Sequence, residues 1–329
     1  AKSLPGAANS ALAELRADAL GRFRAAGLPH RRLEDWKFTG LDALTRTVFS
    51  PAPAATPKID AARLDALAPV ANAIRLVFIN GRFADDLSTL LTQTGVTIGP
   101  LAPSLDGIDP ATLSRGDEGA AHALVALNAA FMSDGAAIEL ADDTALERPI
   151  VIINLSGGDG AAVHTRNLIR LGARARATVI DIHAGLDGAA PAFSNGVTDV
   201  TLAEGAALWH GRIAAEDDGA LHHGHARVDI GAGADYAAFA LSVGGALTRQ
   251  ETDVNFTAAG GRARLYGAYL ARGRQHMDHT TRVRHDHPGC TTDELFKGVI
   301  EDQGHGVFQG LVHVAPGAIG TNANQKNTN

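Results

Sequence analysis

The chain has 329 residues, of which 45% are hydrophobic, 20% charged and only 5% aromatic. This is the profile of a globular protein with one large or two ordinary domains, and it excludes a disordered or fibrous chain. The 29 basic and 36 acidic side chains leave a net charge of −7, which argues against nucleic-acid binding by bulk electrostatics. The single cysteine excludes an intramolecular disulfide and a four-cysteine zinc or iron–sulfur site held by this chain alone.

The N-terminal stretch AKSLPGAANS has no apolar signal core, and no run of 18 apolar residues occurs, so no membrane span is expected and the cytoplasm is the expected location. Residues 8 to 27 are predicted to form an amphipathic helix: Leu12, Leu15, Ala19 and Phe23 recur near the helical period, and Gly27 with Pro29 supplies the stop. A charged cluster from His30 to Lys37 follows, with Trp36 expected to pack against the body. Residues 51 to 57 (PAPAATP) read as a linker, and a short helix is predicted over Ala61 to Leu67. Arg75 to Phe83 reads as a β-hairpin turning at Asn80-Gly81, because both turn positions need φ > 0. Residues 118 to 132 are predicted helical, with Leu124, Leu127 and Phe131 on one face and Ser133-Asp134-Gly135 as the end. The chain thus divides into an N-terminal helical and mixed domain (1–135) and a β region (136–329).

From about residue 138 the pattern becomes short β runs broken by glycine. Gly205, Gly233, Gly261, Gly289 and Gly317 are each 28 residues apart. A fixed period of this size signals stacked coils. At that spacing Val200, Val228, Phe256 and Val312 fall in one column, and Leu202, Ile230, Ala258 and Val314 in another. Apolar residues inward and polar residues outward, repeated each turn, describe a parallel β-helix with rungs about 4.8 Å apart. One rung breaks the rule by placing Arg284 and Asp286 at the inward columns. Either they pair inside, or the register slips by one and Val283, His285 and His287 face inward.

That rung also carries the chemistry. His285 and His287 share a strand face, Cys290 follows, and His313 stacks above His285 if the 28-residue period holds. Imidazole and thiolate bind zinc, iron or copper, so His285, His287 and Cys290 are the candidate metal ligands; the alternative is a polar column of exposed strand histidines. His222, His223 and His225 form a second group, also expected to be exposed strand residues. The pairs Asp85-Asp86, Asp142-Asp143 and Asp217-Asp218 fall in predicted turns. The sequence has no Walker phosphate loop, no Gly-x-Ser-x-Gly elbow and no HExxH motif, and nothing else in it specifies a catalytic reaction.

RRLEDWKFTGLDAL (31–44), ALNAAFMSDG (126–135), LERPIVI (146–152), residues 244–267, QHMDHTTRVRHDHP (275–288) and residues 295–314 together resemble the SufB/SufD family of iron–sulfur cluster assembly proteins, its SufD members more than its SufB members. The resemblance covers nearly the whole chain and ends in GTNANQKNTN. It implies a right-handed parallel β-helix core and a non-catalytic scaffold subunit acting with a SufB-like paralogue and a SufC-like ATPase; the sequence leaves open whether the isolated chain forms a homodimer. It also implies no tightly bound cofactor and at most a transient iron–sulfur cluster in the complex. The family's proposed cluster ligands and ATPase docking surface follow the segment at which this chain ends, so none is carried over. The other readings are a metal-binding β-helix module using His285, His287 and Cys290, and a carbohydrate-active β-helix enzyme, against which stands the lack of a clustered carboxylate ladder.

Overall fold

The computed structural model describes residues 4–52, 58–113, 119–186 and 191–328; residues 53–57 of the expected linker lie outside them. The chain is mainly β, a parallel β-solenoid of about six turns with a helical N-terminal region. Two nine-stranded sheets face each other among the described residues. Strands Phe193–Leu202, Leu221–Ile230, Leu247–Phe256, His276–His285 and His305–Val314 stack in the first, and Ala207–Ala215, Asp235–Ser242, Arg262–Ala271, Thr291–Ile300 and Asn322–Thr328 in the second. Each turn of the solenoid runs along one sheet, rounds a corner and returns along the other.

The turn length varies, and this corrects the strict sequence columns. Successive first-sheet strands pair Phe193 with Leu221, Leu221 with Leu247, Leu247 with His276 and His276 with His305. Only the first of these steps keeps the glycine interval; the second is shorter, and the last two are slightly longer. The short step arises partly because the strand Asp235–Ser242 has 8 residues where the next two in its sheet have 10. The inward columns are therefore Val200, Val228, Val254, Val283, Val312 and Leu202, Ile230, Phe256, His285, Val314. Val283 and His285 face the interior, while Arg284 is exposed and lies 3.3 Å from Asp286 on the outside. Of the two alternatives for this rung, the slipped register holds, because neither charge then leaves water. His287 sits in the corner rather than the strand.

The corner glycines shift with the register. Gly205, Gly233, Gly260 and Gly289 all have φ between 59° and 74°, and Gly320 has φ 75°. Their N–H groups link one corner to the next: Gly233 donates to Ala259, Gly260 to Pro288 and Gly289 to Ile319. Gly260 and Gly320, not Gly261 and Gly317, thus continue the stack. Glycine takes the left-handed conformation of these corners without steric cost, and that conformation turns each corner N–H toward the next turn's carbonyl.

The N-terminal region wraps the outer faces. Helix α1 (Ser10–Ala26) starts at Asn9, whose side chain accepts from the Leu12 N–H (3.1 Å), and stops at Gly27. Helices α2 (Asp42–Arg46) and α3 (Ala61–Leu67) follow, and α4 (Ala123–Phe131) packs on the first sheet through Asn128, which donates to the carbonyls of Thr165 and Asn195. The Asn80-Gly81 hairpin forms as expected, both residues at positive φ. Its first strand, Ile74–Ile79, pairs with Ile150–Ser156, and Val96–Pro100 pairs with Ala136–Leu140. Residues before 136 therefore build the first turn of the solenoid as well as its cover.

Candidate functional site

Strand alternation sends every second side chain of the first sheet outward, toward the N-terminal cover. The register lines these residues up across rungs: Asn195, His223, Arg249 and Asp278 in one row, Val197, His225, Glu251 and Thr280 in the next, then Asp199, Arg227, Asp253 and Arg282. Acids, bases and imidazoles thus alternate at the sheet spacing.

The cover makes these rows a buried network. The Trp36 indole lies on Arg249, whose guanidinium carbon is 4.0 Å from the ring centroid, and its Nε1–H donates to the Ala121 carbonyl (3.0 Å). Arg249 pairs with Glu251 and Asp278 and donates to the Asp35 carbonyl (2.8 Å). Thr39 donates to Asp278 and lies 2.9 Å from His276 Nε2. Arg282 donates to both Glu251 (3.1 Å) and Asp253 (3.0 Å). Burial alone would raise the Glu251 and Asp253 carboxyls, but Arg249 with the neighbouring histidines outweighs it at Glu251, and His225, His122 and Arg282 do so at Asp253; both stay well below the usual range.

Three groups of side chains among the described residues bring donor atoms within 4.8 Å of one another: His122, His225 and Asp253; His223, His225 and Glu251; and His183, Glu216 and His222. The first opens to solvent. His122 ends the short turn before α4 and, with Asp253, lines a cleft of about 460 Å³ that also holds Asp199, Arg227, Arg282 and Arg284. The third lies inside the solenoid, where the half of the interior away from the apolar core is polar. There His222 Nδ1 is 3.0 Å from Glu216, His183 is 3.4 Å from Asp181, and Asp181 accepts from Asn154 (2.8 Å) and Asn167 (3.0 Å). Gly196 and Gly224 make room for these rings: a Cβ would stand 3.2 Å from His183 and 2.8 Å from His222 respectively.

The predicted ligands lie elsewhere. His285 is buried against Phe256 (4.7 Å between centroids), with Nε2 2.9 Å from the Thr292 hydroxyl. Cys290 is buried, its thiol 3.4 Å from the Ala258 carbonyl, and His287 is half-buried at the corner. None of the three belongs to a converging donor group among the described residues. His313 pairs with Arg284 rather than stacking on His285, because this step is longer than the glycine interval. His222, His223 and His225, expected to be exposed, are buried: the first faces the interior and the other two lie beneath the N-terminal cover. The signal for them was the pairing of HHGH (222–225) with TRQE (248–251), legible only once the shortened turn is known.

Residues 2–152 match the model for the SufBD protein N-terminal region, and residues 153–329 match that for the SufBD core domain of the SUF iron–sulfur cluster assembly system. The chain belongs to the SufBD family. Among its relatives, the Escherichia coli iron–sulfur cluster assembly protein SufD is 26% identical over 92% of this chain and 70% of its own length. A SufBD family protein of Synechocystis is 27% identical over 95% of this chain and 71% of its own, and one of Mycobacterium tuberculosis is 29% identical over 68% and 58%. This SufBD protein is accordingly an iron–sulfur cluster assembly protein, and no helix among its described residues is long and apolar enough to cross a membrane.

Proposed function

We propose that this chain is a SufD-like, non-catalytic scaffold subunit of a SUF assembly complex, acting in the cytoplasm with a SufB-like paralogue and a SufC-like ATPase. Its similarity to E. coli SufD over 92% of the chain carries the reading. The solenoid supports it by offering a rigid frame, since every turn is bonded to its neighbours along both sheets. The subunit alone holds no iron–sulfur cluster tightly; a cluster is cargo, present while the complex builds it.

The test is co-expression of the full-length protein with SufB and SufC homologues, followed by affinity purification through one subunit. Recovery of a stable ternary complex is expected. If neither partner is retained at physiological salt, the reading fails.

A further inference from the structure

We propose that His122, His225 and Asp253 form a binding site for one divalent first-row transition-metal ion, iron(II) among them, at the wall of the solvent-exposed cleft. His225 Nε2 lies 3.2 Å and His122 Nε2 3.3 Å from the same oxygen of Asp253, Oδ2. An ion bonded at about 2.1 Å holds adjacent donors about 3 to 3.4 Å apart, so the two distances suit a shared ion with little movement. Two imidazoles and one carboxylate on one side of an ion leave the remaining positions to water, the donor set of open non-haem iron(II) sites.

The surroundings complete the arrangement. The second oxygen of Asp253 is held by Arg282 (3.0 Å), which leaves Oδ2 as a single-toothed ligand. The far nitrogen of His225, Nδ1, faces Glu251 Oε2 at 3.6 Å, just beyond hydrogen-bond length, so a small approach on metal binding would make Glu251 the carboxylate that orients this imidazole. The arginines of the cleft are already matched by carboxylates: Arg170 by Glu139, Arg227 by Asp199, Arg282 by Asp35 and Glu251, and Arg284 by Asp286, which leaves Asp253 Oδ2 to the two imidazoles. The cleft gives the ion an entry path that the interior group of His183, Glu216 and His222 lacks.

The site stands on its donors and not on the assembly complex, so it is tested on the isolated full chain. Tag-free protein is titrated anaerobically with Co²⁺, read by its visible bands, and with Fe²⁺, read by metal analysis after gel filtration. One ion per chain is expected, with affinity lowered about tenfold or more in His122→Ala and in Asp253→Asn and about tenfold in Glu251→Gln, while circular dichroism stays unchanged. His122 lies in a short turn at the cleft, so its loss is expected to spare the fold. Absence of bound metal at excess Co²⁺, full affinity in both His122→Ala and Asp253→Asn, or loss of binding in His183→Gln alone overturns the proposal. Metal bound without any SufB or SufC complex would leave this site standing and the assembly reading refuted.

Discussion

The Arg249 guanidinium rests 4.0 Å above the Trp36 ring, joining a solenoid strand to a turn near the start of the chain. Two things depend on the contact. It neutralises part of a buried acidic row, and it fastens the N-terminal cover to the first sheet. Trp36→Ala removes a fully buried indole and is expected to cost about 3–5 kcal/mol. Arg249→Ala removes the cation paired with Asp278 and one of the two arginines on Glu251, whose other is Arg282, and is expected to cost about as much. Urea unfolding of the two single variants and the double variant at neutral pH checks this, and the double loss should be clearly less than the sum, because both act on one contact.

Acid should destabilise the protein well above the carboxylate range. Burial holds His164 and His223 down to about 4, and burial with the Arg212 charge holds His210 and His279 down to about 3. Their folded-state values lie below the free value of 6.5. Between pH 6.5 and about 4 the unfolded chain takes up protons that the folded chain refuses, so stability is full above 6.5 and falls as the pH drops through that window. Each such histidine contributes up to about 1.4 kcal/mol per pH unit. His122 and His183, raised by Asp253 and Asp181 against the effect of burial, act in the opposite sense but are fewer. The urea midpoint should therefore decline from pH 7 to pH 4.5.

His279 offers a clean variant for that slope. Its ring sits between Tyr269 and Phe296, with Nε2 2.9 Å from the Ser242 hydroxyl. His279→Gln keeps a polar partner for Ser242 and cannot titrate, so its stability should fall less steeply below pH 6.5 than that of the parent chain. An unchanged slope would show that His279 titrates in the folded state much as it does in the unfolded one.

Two glycines are expected to separate crowding from backbone strain. A Cβ at Gly244 would stand 2.3 Å from the Glu216 carbonyl oxygen, and its φ is ordinary, so Gly244→Ala must push two neighbouring turns apart and should cost about 3 kcal/mol. At Gly233 nothing lies within 4 Å, but φ is +59°, and Gly233→Ala should cost about 1–2 kcal/mol from conformation alone. Thermal unfolding of both variants gives the comparison.

Cys290 is buried with its thiol toward the Ala258 carbonyl. Labelling by a thiol reagent should be slow in the native chain and should accelerate with urea in step with local opening. Fast labelling at zero denaturant would mean that this corner opens readily.

Much of the architecture was legible in the residues themselves. The α1 helix with its glycine stop, the α3 helix and the Asn80-Gly81 hairpin are set by neighbours in sequence, where caps, periodicity and turn chemistry act. The coil was legible too, since glycine corners and alternating apolar residues recur at nearly one interval. Its register was not, because the short strand Asp235–Ser242 tightens one turn, and a slip of one residue exchanges inside for outside. That exchange decides whether Arg284 or His285 is buried.

The donor groups depended on tertiary structure altogether. His122 and Asp253 lie far apart in the chain, one in the N-terminal cover and one in a solenoid strand. His225 joins them only through the pairing that sets Arg227 beside Asp253 and the cover that seals the row. Local sequence determined the coil, its corners and the helices around it. Packing the N-terminal region onto the outer face decided which polar residues left water. Once buried, those side chains could be satisfied only by one another, which is why imidazoles and carboxylates converge there.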